Sequence, residues 1–203
     1  MRVRWAEPGD LAAVAERIAT ELARPRPLRL CVPGGSTAPK VFAMLAGCGL
    51  DWSGVTITLN DDRRVPDDHP ASNHGNLRAA LPDVAIERLA EGAEVAPFDL
   101  VWLGMGEDGH VASLFPHMRA EPRSGPRVIA TTPIPLPVEA PFDRLSLNWR
   151  ALTATREVIL VVTGEPKRRV IEAALGGADL PVATLFNGAG VPVPPPVTIY
   201  WSA

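Results

Sequence analysis

A basic excess, a long apolar run, a leader-like start and paired cysteines are all missing from this chain of 203 residues. Lys and Arg total 20 against 23 Asp and Glu, a net charge of −3. A domain that grips nucleic acid through its phosphates shows the opposite balance, so no nucleic-acid partner is expected. The longest uninterrupted aliphatic run, Val158 to Val162, falls far below the roughly 20 residues that span a bilayer, so no membrane partner is expected either. The first residues alternate arginine with valine and tryptophan and hold no apolar signal core. Cys31 and Cys48 form no CxxC pair and no disulfide framework, which suits a reducing cytoplasm. Lysine is nearly absent. Only Lys40 and Lys167 stand among the 20 basic residues, which singles out both positions.

Hydrophobic residues at 46% and charged residues at 21% exclude intrinsic disorder. The length suits one domain over residues 1–203. Proline is about twice as frequent as usual, and it clusters at Pro133, Pro135, Pro137 and Pro141 and again at Pro192, Pro194, Pro195 and Pro196. These stretches read as loops, and the first is a candidate lid.

Elsewhere, short β-type runs alternate with helical patterns, the signature of a parallel sheet flanked by helices. Helices are predicted over Asp10–Leu22, Thr37–Leu45, Asn76–Leu81 and Lys167–Leu175. Strands are predicted over Leu28–Val32, Val55–Leu59, Phe98–Leu103, Val128–Thr131, Arg144–Trp149, Val158–Thr163 and Val197–Trp201. Asn60 to Asn73 reads as a polar loop. The expected fold is a three-layer α/β/α Rossmann-like domain with a mainly parallel sheet. Ligands of such folds bind outside the carboxyl ends of the strands, and four strand ends carry loops with chemistry to offer.

Pro33-Gly34-Gly35-Ser36-Thr37 links a strand to a helix. Its glycines allow close backbone approach, and the helix start presents unpaired N–H groups to an anion. It lacks the Gly-Lys-Ser/Thr ending of a Walker loop, and alone it reads equally as a capped turn. Gly104 to Gly109 matches GxGxxG, yet no acidic residue follows about 20 positions later, so a dinucleotide is not expected. Asp108 two residues before His110 suits a general base with an orienting partner. In Asp61-Asp62-Arg63-Arg64 a guanidinium could hold an anionic oxygen while the aspartates orient it, or the run could be a solvated loop. Asp67, Asp68, His69 and His74 match no ligand spacing, so no metal is expected. His117 reads as an ordinary surface histidine. Thr163-Gly164-Glu165-Pro166-Lys167 again runs from strand to helix, with a lysine placed to meet a phosphate.

In this order the loops resemble the 6-phosphogluconolactonase family, within a wider group that includes glucosamine-6-phosphate deaminase. The family's Gly-Gly-Ser-Thr-Pro loop is met at Gly34 to Thr37 with Ala38 inserted before Pro39. Its Asp-Glu-Arg-x-Val-Pro segment and following Ser-Asn are met at Asp61 to Pro66 and Ser72-Asn73, with Asp62 in place of Glu. Its Gly-x-Gly-x-Asp-Gly-His-x-Ala-Ser-Leu-Phe-Pro block is met from Gly104 to Pro116. Arg144 to Leu147 and Gly164 to Lys167 complete the set.

The resemblance implies a NagB-like fold and hydrolysis of 6-phospho-D-glucono-1,5-lactone by a monomer or small homo-oligomer that needs no cofactor. It implies His110, Asp108 and Arg63 as catalytic residues. Gly34, Gly35, Ser36, Thr37, Asp61, Asn73, Gly106, Arg144 and Lys167 would bind the substrate, with Arg144, Lys167 and the 34–37 loop on its phosphate. The Asn73–Phe98 stretch is short for the family, so a helix near the site is expected to be reduced. The deaminase branch carries a glutamate where Phe115 stands, and Phe cannot shuttle the proton that ring opening requires. A catalytically silent sugar-phosphate sensor is the alternative from outside the enzymes.

Overall fold

A computed structural model of the chain describes residues 3–118, 125–138, 140–188 and 193–203. Pro192 of the second proline cluster lies outside these residues, as does Glu139 within the candidate lid. The first half of the chain runs β1 (Val3–Trp5), α1 (Leu11–Leu22), β2 (Leu28–Val32), α2 (Thr37–Ala46), β3 (Val55–Leu59), β4 (Asp61–Arg63), α3 (Asn73–Ala80) and β5 (Ala85–Glu87). The second half runs β6 (Leu100–Leu103), β7 (Val128–Thr131), β8 (Arg144–Leu147), α4 (Trp149–Thr153), β9 (Val158–Thr163), α5 (Glu165–Leu175), α6 (Ala183–Asn187) and β10 (Val197–Ser202).

Seven strands form one sheet in the order β1-β10-β9-β6-β2-β3-β5, every neighbouring pair parallel. Parallel sheets are covered on both faces, so their strands must be apolar on both sides. β9 shows how one run serves two cores. Val158, Leu160 and Val162 pack with Ile171 and Ala174 of α5 and Leu185 of α6. Ile159 and Val161 point the other way, toward Val14 and Ile18 of α1 and Val41 and Leu45 of α2. β6 divides likewise, with Trp102 buried beside Phe42 at 6.0 Å between ring centroids. Each such side chain contributes about 1.5–3 kcal/mol on burial. α1 begins where the Asp10 carboxylate accepts the Ala13 N–H at 2.9 Å, and its buried stripe Val14, Ala15, Ile18 and Leu22 follows helical spacing. The three-layer α/β architecture is therefore the expected one.

Three expectations are corrected. The Asn60–Asn73 stretch is not all loop: β4 pairs antiparallel with β8, Asp61 opposite Ser146 and Arg63 opposite Arg144. With β7 they make a second, three-stranded sheet. A run of four charges carries no strand signal of its own, and its partner lies some eighty residues away in sequence. α3 starts at Asn73 rather than Asn76, because Ser72 and Asp62 accept its first N–H groups. The strand at Arg144 stops at Leu147, because Asn148 turns the chain and accepts the Ala151 N–H at 2.9 Å, capping α4. From β5 to β6, residues 88–99 make the crossover with no helix.

The chain moves outward from β2 to β3 and β5, then returns to β6 on the other side of β2. Strand order reverses between β2 and β6. Loops that leave those two strands diverge, and the crevice between them is where a ligand fits.

Candidate active site

A cleft of about 460 Å³ opens at that reversal, larger than the cavities of about 290 and 370 Å³ found elsewhere. Its walls come from the loops after β2, β3, β6 and β9. Of the residues expected at the site, Gly34, Gly35, Ser36, Thr37, Asp61, Arg63, Asn73, Gly106, His110 and Lys167 line it. Asp108 stands behind His110, and Arg144 is not among the lining residues.

The loop after β6 is a tight, self-bonded turn. Gly109 N–H donates to Gly106 O, Gly106 N–H to His110 O, and Val182 N–H pins Gly109 O from the segment before α6. His110 Nδ1 lies 2.6 Å from Asp108 Oδ1, which also accepts the His110 backbone N–H at 3.1 Å. A carboxylate can only accept, so in the neutral ring Nδ1 carries the proton and Nε2 keeps its lone pair. Nε2 has no protein partner among the described residues. The ring is one-third exposed and touches Phe115 at 5.1 Å. Gly106 is required here: a Cβ on it would stand 2.2 Å from His110 Cε1 and 2.7 Å from Asp108 Oδ1.

Arg63 is held from the opposite wall. Its Nη1 donates to Asn73 Oδ1 at 2.8 Å and to Ala71 O at 2.9 Å. Asn73 is fixed in turn, its Nδ2 donating to Asp61 O and its own N–H to Asp62 Oδ1 at 2.7 Å. Asp62 also accepts the N–H groups of Arg63 and His74. The shorter carboxylate at this position therefore seats the start of α3 and the backbone of Arg63, and leaves the guanidinium to Asn73. Asp61 accepts the Ser113 hydroxyl at 2.5 Å. Burial pushes its carboxyl up, against the pull of Ser113, Arg63 and Arg144.

On the third side, Gly34 to Thr37 leads into α2. A Cβ on Gly34 would collide with the Asn73 side chain, 2.0 Å from its Cγ, so the loop and the Arg63 support are packed against each other. A cation such as Lys167 and N–H groups at the start of a helix are the chemistry that holds a phosphate dianion. The other two walls supply a base and a cation. Together these surfaces suit a phosphorylated substrate with an electrophilic carbon.

A family model described as glucosamine-6-phosphate isomerases/6-phosphogluconolactonase matches residues 10–90 and 83–192. The chain belongs to that family. The 6-phosphogluconolactonase of Pseudomonas aeruginosa is 32% identical over 95% of this chain and 89% of its own length. That of Rhizobium meliloti is 34% identical over 93% of this chain and 90% of its own. A crystal structure of a 6-phosphogluconolactonase from Shewanella baltica superposes with a TM-score of 0.74 at 30% identity, covering 99% of this chain and 97% of that one.

Within this glucosamine-6-phosphate isomerase/6-phosphogluconolactonase fold, Arg144 stands on β8, outside the residues that line the cleft. The residue is buried, and its guanidinium donates to Ala140 O and Phe142 O of its own segment at 2.9 and 2.8 Å. Burial, with the Arg63 charge next, pulls it below its ordinary value. It stands across the β4–β8 ladder from Arg63. In the candidate lid, Ile134, Leu136 and Val138 project into solvent.

The histidines outside the cleft have local duties. His69 Nδ1 accepts the Ala71 N–H, His74 faces Asp67 at 3.2 Å, and His117 stacks on Phe115 and donates to Thr132 O. Two residues escaped the sequence reading, and a third was singled out only by its rarity. Ser113 lies inside the recognised block but shows its use only through Asp61. Asn60 lines the cleft and ties three strands through Val32 O, Trp102 O and the Leu147 N–H. Lys40 also lines the cleft, and the scarcity of lysine was the one signal pointing to it.

Proposed function

We propose that this chain is a lactonase over residues 1–203 that hydrolyses 6-phospho-D-glucono-1,5-lactone to 6-phosphogluconate, the ester hydrolysis of the oxidative pentose phosphate pathway. The observation that carries this reading is the His110–Asp108 pair at 2.6 Å on the wall of a cleft that also holds Arg63 and Lys167. The names of the relatives, 6-phosphogluconolactonases over nearly their whole lengths, point the same way. Phe115 against the His110 ring supports the lactonase over the deaminase branch, since it offers no second proton carrier.

His110 Nε2 takes a proton from water as the oxygen adds to the C1 carbonyl. Arg63 faces the negative charge that develops on the carbonyl oxygen. As the C1–ring oxygen bond breaks, the imidazolium returns its proton to the departing ring oxygen, and the product acid ionises in water. Asp108 keeps the imidazole in the useful tautomer and stabilises its charged form. The 6-phosphate sits on the 34–37 loop and Lys167, remote from the reacting carbon, where its binding energy orients the lactone. Arg144 balances the Asp61 charge from behind. The enzyme acts in the cytoplasm as a monomer or small homo-oligomer, on a small phosphosugar and with no cofactor or nucleic-acid partner.

The test is acid release from freshly generated 6-phosphogluconolactone at neutral pH against the spontaneous background, with wild type and His110→Ala in parallel. The variant should lose about 10²–10⁴-fold in kcat while 6-phosphogluconate affinity stays within a few-fold. An unchanged kcat would remove His110 from the mechanism. Wild-type protein that binds 6-phosphogluconate without turnover would make the chain a sensor.

A further inference from the structure

Two lysines occur in the whole chain, and both line the same cleft. They come from opposite sides of the loop that carries His110. Lys167 is on α5, which follows β9, and Lys40 is on α2, which follows β2. In the sheet these strands flank β6. Adjacent strands lie about 4.8 Å apart, so the ends of β2 and β9 lie about 10 Å from one another across that loop, and the two helices leave them on opposite faces of the sheet.

Their charge is also uncommitted. Arg17, Arg29, Arg64, Arg88 and Arg156 are all engaged with carboxylates. Among the described residues neither lysine is. α2 buries Ala38, Val41, Phe42 and Leu45 and leaves Lys40 on its exposed face, and no acidic residue stands in its first turn. Side chains on a helix lean toward its N-terminus, which here is the Gly34–Thr37 loop. A lysine one turn into α2 therefore leans back over the loop that would hold the phosphate.

We propose that Lys40 is a second phosphate-binding cation, working with Lys167 from the far side of the cleft. It sets the preference for phosphorylated over unphosphorylated lactones. The inference rests on the phosphosugar reading above and adds a residue to it. A phosphate dianion held by one lysine keeps a net negative charge, and a second point charge balances it. The exposed position makes the contact a modest one, about tenfold in affinity.

The decisive quantity is the ratio of kcat/KM for 6-phosphogluconolactone to that for unphosphorylated glucono-1,5-lactone, in wild type, Lys40→Met and Lys40→Arg. Lys40→Met should lower this ratio about tenfold, through KM for the phosphorylated substrate. Lys40→Arg, which restores the charge, should return it to within about threefold of wild type. An unchanged ratio, or an equal loss on both substrates, would overturn the proposal. Calorimetric titration with 6-phosphogluconate and with inorganic phosphate separates this question from that of activity. If wild type proves to have no lactonase turnover, weaker binding of both anions by Lys40→Met still upholds the phosphate role, and equal binding rejects it. Failure of wild type to bind either anion would remove both readings.

Discussion

Replacing Asp62 with alanine is the perturbation that couples stability to catalysis most directly. The first three N–H groups of α3 are all accepted by side chains: Asn73 and His74 by Asp62 at 2.7 and 3.1 Å, and Gly75 by the Ser72 hydroxyl at 3.0 Å. Asp62 also accepts the Arg63 N–H at 2.7 Å. Loss of a helix cap costs up to about 2 kcal/mol, and a hydrogen bond to a charged acceptor adds about 1.5 kcal/mol. Because the bonds share one carboxylate and water enters part of the space, about 3 kcal/mol is expected in all. In a domain of this size that is a fall of about 6–12 °C in Tm. Freed from its seat, Asn73 no longer holds Arg63, and loss of a positioned donor to a developing oxyanion costs about 10²–10³-fold in kcat. Asn73→Ala is the companion variant. It leaves the backbone N–H bonds to Asp62 in place, so it should cost about 1 kcal/mol in stability yet bring a similar loss of kcat. Thermal melts and steady-state lactone hydrolysis on both variants decide the matter. The reasoning fails if Asp62→Ala melts within 2 °C of wild type, or if Asn73→Ala keeps full kcat.

Gly106→Ala tests the packing under the base. The added methyl would press on His110 Cε1 and Nδ1 and on Asp108 Oδ1, so the pair must shift. A displacement of about 1 Å costs about 10²-fold in kcat, while the surface position limits the stability change to about 1 kcal/mol; wild-type kcat would show that the His110–Asp108 geometry is unimportant. Glu87 gives a pH signature. The bidentate Arg29 pair, with the Thr58 hydroxyl, holds its carboxyl below the ordinary value of 4.5. The native state therefore binds this proton less readily than the unfolded chain, so the pair's contribution is present above pH 4.5 and is lost as pH falls through the lowered value. Half-exposed, the pair contributes about 0.5 kcal/mol. Glu87→Gln should lower stability by that amount at pH 7 and match wild type near pH 3 in denaturant titrations; a gap that widens toward acid would reverse the assignment.

The alternation that builds the sheet is local and was legible along the chain. Val158 to Val162 must be apolar at every position because a parallel strand meets helices on both faces, whereas Leu28–Val32 and Val55–Leu59 give one face wholly to the core and admit Arg29, Thr56 and Thr58 on the other. The Asp108-Gly109-His110 turn was legible too, because a base and its orienting partner two residues apart on a glycine loop need no distant residue to meet. Partnerships between charged or polar groups were not. Asp62, Asn73 and Arg63 form one hydrogen-bonded unit only because β4 finds β8 and α3 folds back onto it. Arg144 reads as a phosphate ligand in its motif, and what its sequence neighbours do not show is that two of its five N–H groups go to carbonyls of its own segment. Lys40 joins the cleft because the sheet sets β2 and β9 on either side of β6, an order that no local pattern records. Hydrophobic burial follows periodicities of two and 3.6 that neighbouring residues write by themselves. The partners of a charge depend on which distant strand ends the topology brings together.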